Sequence, residues 1–319
     1  MTEPGVRKPR PVPPGATIGV VAPSGPVPPE ALEAGLERLH QWGYRTVVGD
    51  AVLQQRGYLA GPDERRAEDF NRMWADPAVD AVLCARGGYG AMRILNRIDW
   101  EQVRRNPKFF CGFSDITALH LAMEREAGLV TFHGPMVAAF GGAVGYNAAG
   151  LRRALMETGP LGEIPWPDPA EAGAPRSLTI RPGVAEGRLI GGNLTLIVSL
   201  LGTRWEPDFT GRIVLLEDVD EAPYRVDRML VQLLLAGKLQ RAAGIVFGDS
   251  PTCLQGPPGR PPLALPEVLS ELLGPLGIPV LYGFPCGHGP HLATLPLGVH
   301  ARLDAEAGTL TILEPAVES

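Results

Sequence analysis

Ser114 stands at the seam of FFCGFSDITALH (109–120), where a compact apolar run gives way to a helix-like pattern. A serine at such a seam can act as an N-cap, its oxygen accepting the orphan amides of the first helical turn. The same junction also points Oγ out of a sheet's carboxyl edge, and the amide of Asp115 heads a helix whose dipole favours a developing oxyanion. That is the arrangement of a nucleophile elbow, although GFSDI (112–116) has Ile116 where the usual GxSxG string has its second glycine. A serine nucleophile needs a base, and the chain offers six histidines: His40, His120, His133, His288, His291 and His300. His40 and His120 fall inside helical patterns, which suits structural roles. His133 ends a strand-like run. His288 lies in FPCGHGPH (284–291), a turn-rich loop whose flanking glycines leave the imidazole room to face a cleft. A base in turn needs an orienting carboxylate, and Glu217 after IVLL and Asp249 after IVFG both sit at strand ends. Residue chemistry alone leaves both pairs of alternatives open.

The cluster RGGYG (86–90) follows the apolar run AVLCA. A dinucleotide loop is excluded: a GxGxxG register starting at Gly88 meets Arg93 at its third glycine, and one starting at Gly87 meets Tyr89 at its second. Glycines there serve either a tight turn or the close approach of backbone amides to a ligand, as an oxyanion donor requires. Cys286, His288 and His291 are residue types that zinc accepts, but Pro290 breaks the helical HExxH geometry and no nearby acid completes a facial set. No metal and no cofactor are expected.

Positioning these groups falls to alternating elements. ATIGVVAP (16–23), YRTVVGD, AVDAVLCAR (78–86), KFFCGFS and LVTFHGP read as strands. Helical patterns separate them at 29–43, 63–77, 90–98 and after Ser114. Such alternation implies a parallel sheet covered by helices on both faces, with the site at the carboxyl ends of its strands. GPLGEIPWPDPAEAGAPRSL, dense in Pro, Gly and Ala, reads as a linker over 159–178. Shorter β-like runs then dominate. The expected fold is therefore α/β: a nucleophile-bearing N-terminal domain (1–158) with a parallel-sheet sandwich and a nucleophile elbow, and a smaller β-rich C-terminal domain (179–319).

The 319 residues suffice for one large or two medium domains that bury roughly 75% of the unfolded surface. A net charge of −6 gives no concentrated basic face, so no nucleic-acid partner is expected, and Arg65-Arg66, Arg104-Arg105 and Arg152-Arg153 read as isolated, solvated pairs. No apolar run reaches 18 residues and the first residues lack an apolar signal core, so neither a membrane nor an export route is expected. The four cysteines share no CxxC spacing and suit a reducing cytoplasm.

Six collinear stretches carry a resemblance: ATIGVVAPSGPV, AVLCARGGYGAMRIL, KFFCGFSDITALH, GRLIGGNLTLIVSLLGT, IVLLEDVDEAPYRVDRMLVQL, and CGHGP followed by TLPLG. Together they resemble the LD-carboxypeptidases, serine peptidases of the muramoyl-tetrapeptide carboxypeptidase group, whose relatives include the microcin C immunity peptidases. The resemblance implies a triad of Ser114, Glu217 and His288, with the backbone amides of Gly88 and Asp115 as oxyanion hole. It favours Glu217 over Asp249 and His288 over His133, and makes the C-terminal domain the supplier of Glu and His. Where many relatives carry Asn after the Gly-His loop, this chain has His291-Leu292-Ala293. The implied substrate is a murein tetrapeptide, cleaved between an L-centre diamino acid and D-alanine; a homodimer is also implied. The immunity branch would instead cleave a peptidyl or aminoacyl nucleotide. Arg86 is a candidate grip for the leaving residue's carboxylate, or else a surface ion-pair partner. Trp166, between two prolines, is a candidate stacking surface for a nucleobase, or else pins a loop.

Overall fold

The apolar run TIGVV is buried at all five positions of strand β1 (Thr17–Val21), the pattern of a strand covered on both faces. The computed structural model describes residues 6–142, 145–253 and 263–318. They divide into two compact units, the first made of Met1–Gly159, Thr294–Gly298 and Pro315–Ser319. In it α1 (Pro29–Gln41), β2 (Arg45–Val48), α2 (Asp63–Ala75), β3 (Ala81–Cys84), α3 (Ala91–Ile94), α4 (Trp100–Arg105), β4 (Phe109–Gly112), α5 (Thr117–Ala127), β5 (Thr131–His133) and α6 (Gly145–Met156) follow one another. Strands β5, β4, β3, β1 and β2 pair in parallel in that order.

Strand β4 shows how both faces are filled. Phe110 meets Phe70 and Trp74 of α2 and His120 of α5, with ring centroids 5.9, 5.8 and 5.4 Å away. Phe109, pointing to the opposite face as alternation along a strand requires, stacks on Phe132 at 4.0 Å. Each of the fully buried phenylalanine and tryptophan rings contributes about 2 to 3 kcal/mol by leaving water.

The second, smaller unit comprises Pro160–Ala293 and Val299–Glu314. It contains β6 (Pro160–Glu163), β7 (Leu178–Arg181), β8 (Val184–Asn193), α7 (Leu194–Ser199), β9 (Ile213–Glu217), α8 (Pro223–Leu235), β10 (Gly244–Gly248), α9 (Leu265–Leu273) and β11 (Val280–Phe284). Next in the chain comes β12 (Leu295–Leu297), which returns to the first unit and pairs antiparallel with β5. Strands β13 (His300–Asp304) and β14 (Thr309–Pro315) then form a hairpin. The eight strands of the second sheet run β6-β14-β13-β8-β9-β10-β11-β7, and β8 to β11 form its parallel centre. On α8, Val226, Leu230 and Leu233 recur at helical spacing and are buried.

The α/β reading, with a parallel first sheet and a β-rich second part, matches this architecture. Within the expected linker the structure differs: Pro160–Glu163 is strand, Ile164 N–H donates to Leu310 O at 2.9 Å, and the Trp166 indole N–H donates to Gly308 O at 2.9 Å. Proline density suppresses helix but leaves an edge strand possible, since Pro160 needs no ladder donor there. Helices α4, α6 and α9 and strand β12 were not expected from periodicity. No helix among the described residues is long and apolar enough to cross a membrane.

Candidate active site

In the first unit the loops after β1, β3 and β4 leave the carboxyl ends of three adjacent parallel strands. Ser114 has φ 64°, one of two described non-glycine residues with positive φ, directly after Phe113 in extended conformation. Such a conformation costs a residue with a Cβ about 1 kcal/mol or more, and it is the turn that a nucleophile elbow needs. Phe113, not Ser114, stands at the N-cap position of the helical turn that Ser114 opens. It is half-buried, beside Gly87, where an added Cβ would lie 3.4 Å from Ser114 Oγ. Gly88 and Gly90 follow at φ 113° and 128°, so the loop's course depends on glycine.

Two buried charges of opposite sign surround this loop. Asp115 Oδ2 accepts from Ser24 Oγ at 2.5 Å and from Ala91 N–H at 2.7 Å. Burial raises the Asp115 carboxyl above its ordinary value, opposed by the Ser24 and Ala91 donors and by the charge of Arg66. Arg66, expected on the surface, is 1% exposed and corrects that reading. Its Nη1 donates to Pro23 O and to Gly90 O, and Nη2 pairs with Asp63 at 2.5 Å. Helical spacing places Arg66 with the buried Phe70 and Met73, which is why α2 carries it inward.

In the second unit the ends of β9, β10 and β11, again adjacent and parallel, meet in one cluster. Glu217, the last residue of β9, is 0% exposed, and His288 Nδ1–H donates to its Oε2 at 2.5 Å. Burial lowers the His288 pKa, the Glu217 hydrogen bond and charge raise it, and the net direction is upward. That bond places the ring proton on Nδ1 and leaves Nε2 as the acceptor of the neutral tautomer. Asp249 takes a different part: its Oδ1 accepts from Gly287 N–H at 3.1 Å. A Cβ on Gly287 or Gly289 would overlap the Asp249 carbonyl or carboxylate, so the glycines around His288 let the loop lie against Asp249. Burial pushes the Asp249 carboxyl up to about 6. Next to Glu217 on the chain, Asp218 accepts from Asn193 Nδ2 and from the amide and hydroxyl of Thr195, tying the β9 end to α7.

The remaining sequence candidates have these places. His133 is buried in β5, edge-on to Phe113 at 5.8 Å. His120 Nε2–H donates to Gly112 O and its Nδ1 accepts from Thr131 Oγ1, both at 2.9 Å; burial lowers its pKa to about 3, the state of a structural neutral imidazole. Arg86 is exposed and donates to Pro26 O at 2.9 Å. Trp166 is half-buried, edge-on to Phe284 at 5.2 Å. His291 Nε2–H donates to Glu171 Oε2 at 2.8 Å, binding the proline-rich segment to the His288 loop. Burial pushes the Cys286 thiol well up, and among the described residues no cluster of three or more His, Cys, Asp or Glu could hold a metal ion. The sequence pattern misplaced Arg66 and gave no sign of the part played by the Asp115 side chain or of the loop-holding part of Asp249. Ser24 lies within the matched stretch ATIGVVAPSGPV, with no role expected for it.

Comparison with known proteins agrees with this architecture. The LD-carboxypeptidase N-terminal domain is recognised over residues 18–134 and the LD-carboxypeptidase C-terminal domain over residues 186–303. The chain belongs to the LD-carboxypeptidase family. It is 40% identical to the "Probable murein peptide carboxypeptidase" of Bacillus subtilis, over 96% of this chain and 94% of that protein. It is 31% identical to the murein tetrapeptide carboxypeptidase of Pseudomonas aeruginosa, over 90% and 92% of the two chains. The structure of MccF in complex with glutamyl sulfamoyl guanosine superposes with a TM-score of 0.88 at 26% identity, covering 98% of this chain and 99% of that one.

Proposed function

We propose that this protein is a cytoplasmic serine carboxypeptidase that releases D-alanine from murein tetrapeptides, cutting the amide after the L-centre of the diamino acid. The observation that carries the reading is the His288–Glu217 hydrogen bond, which holds the imidazole through Nδ1–H and leaves Nε2 as the nitrogen that can accept a proton, in a chain whose Ser114 occupies a strained strand-to-helix turn. The murein peptidases among its relatives support the substrate class. Four buried free cysteines suit a reducing compartment.

In this reading His288 Nε2 takes the proton of Ser114 as Oγ bonds to the scissile carbonyl carbon, and Glu217 stabilises the resulting imidazolium. The amides of Gly88 and Asp115 receive the oxyanion; losing one such donor costs about 100- to 1,000-fold in rate. Collapse of the tetrahedral intermediate breaks the C–N bond, and His288 returns the proton to the departing amine. Water, deprotonated by the same imidazole, then hydrolyses the ester and restores Ser114. Arg86 is our candidate for holding the leaving residue's carboxylate.

The test is incubation with L-Ala-γ-D-Glu-diaminopimelyl-D-Ala, with free D-alanine read by mass spectrometry. Wild-type protein releases D-alanine and Ser114→Ala loses at least about 10⁴-fold in rate. A second reading has a specific support, the likeness to MccF with its bound glutamyl sulfamoyl guanosine: an amidase acting on aminoacyl nucleotides, with Trp166 as the base-stacking candidate. Cleavage of an aminoacyl sulfamoyl nucleoside by protein that leaves the tetrapeptide intact would establish that reading over the first.

A further inference from the structure

We propose that Arg66 and the side chain of Asp115 form a positioning clamp that fixes the glycine loop as an oxyanion donor. Asp115 then serves one step twice, through its amide and through its carboxylate. The inference rests on Ser114 being the nucleophile.

An oxyanion donor must be held to within about 0.5 Å of its working position, and Gly88 and Gly90, both at positive φ, have no side chains of their own to hold it. The two charges hold it at neighbouring residues. Arg66 Nη1 binds the carbonyl of Gly90, and the Asp115 carboxylate binds the amide of Ala91. Each charge also grips the loop after β1, Arg66 through Pro23 O and Asp115 through Ser24 Oγ. A further bond joins the two loops directly, Gly25 N–H to Gly87 O at 3.0 Å. Asp115 is bonded to Ser114 in the chain, so the clamp ties the donor loop to the very turn that carries the nucleophile. Buried charges are costly, and apolar packing at such sites often stabilises a fold as well or better. Two of them spent on the backbone of one glycine loop fit a demand for geometry rather than for stability. Ser24, 0% exposed, is the part of the clamp that can be removed with the least damage.

The experiment follows phosphonylation of Ser114 by a fluorophosphonate, separating the maximal inactivation rate from the half-saturating concentration. Each variant is measured well below its own melting temperature. Asp115→Ala should lose about 100-fold in maximal rate with the half-saturating concentration unchanged, and Ser24→Ala about tenfold. Asp115→Asn, which keeps an acceptor oxygen for both donors, should recover to within about threefold of wild type. Wild-type rates in folded Ser24→Ala and Asp115→Ala would overturn the clamp while leaving the nucleophile in place. If Asp115→Ala does not fold, Ser24→Ala alone decides, by the same tenfold criterion. Absence of labelling at Ser114 in wild-type protein would remove the catalytic reading and the clamp with it.

Discussion

The serine-bearing cluster and the imidazole-bearing cluster are built alike and held differently. Each stands on the carboxyl ends of three adjacent parallel strands, β1, β3 and β4 in one unit and β9, β10 and β11 in the other. In each an aspartate just beyond a strand accepts a backbone amide from a glycine-bearing loop: Asp115 from Ala91, Asp249 from Gly287. The proposed nucleophile and base differ in what fixes them. Ser114 has a one-carbon side chain, so its backbone at φ 64° aims the hydroxyl. His288 has a ring that can turn about two bonds, so it needs a second acid, Glu217, to hold its tautomer and plane. A short hydroxyl side chain is placed by main chain; a long ring is placed by a partner.

The largest effect that bears on this difference is expected at the partner. Glu217→Gln should lower kcat by about 10³- to 10⁴-fold, because an amide can select the wrong imidazole tautomer. It should also move the acidic limb of the pH profile downward, since Glu217 holds the His288 pKa above 6.5; an unmoved limb would argue that Glu217 does not govern the base. Next is the loop itself. In Gly289→Ala the new Cβ collides with Asp249, and a displacement of about 1 Å at the imidazole costs about 100-fold in kcat; steady-state kinetics at wild-type rate would show that the loop has slack.

Asp249 yields a pH effect on stability. Its folded pKa, about 6, lies above the ordinary 3.8, so the folded state holds the proton more tightly. The stabilisation from that proton is complete below about 3.8 and is lost as pH rises through about 6. Asp249→Asn does not ionise, so between pH 4 and 7 it should lose up to about 3 kcal/mol less stability than wild type in urea denaturation. Equal pH slopes would contradict the assignment. Smallest is Trp166→Phe, which forfeits the bond to Gly308 O at about 1 kcal/mol and lowers Tm by roughly 2 to 4 °C; calorimetry reads it.

Local pattern made the first sheet legible. The runs TIGVV and AVLC and the helical spacing of 29–41 appear as strands and helix close to the expected bounds. Short helices were not legible: α4 has only six residues, and its signal was the cap Asp99, which accepts from the amides of Glu101 and Gln102. Arg66 was misread because charge outweighed position, although its spacing to Phe70 and Met73 marked the buried face. The choice between Glu217 and Asp249 was beyond residue types, since both end buried strands with the same chemistry. The family resemblance favoured Glu217, and the fold shows that it faces the ring of His288 while Asp249 faces the loop backbone. Signals local in sequence were readable; those that depend on which loop returns to which strand end were not.

The most direct measurement of the central claim is the pH dependence of Ser114 phosphonylation in wild type and in His288→Ala. If His288 is the base, the wild-type rate rises with a midpoint above 6.5, and the variant is slower by at least about 10³-fold and without that midpoint. A folded His288→Ala protein that labels at the wild-type rate with the same midpoint would contradict it.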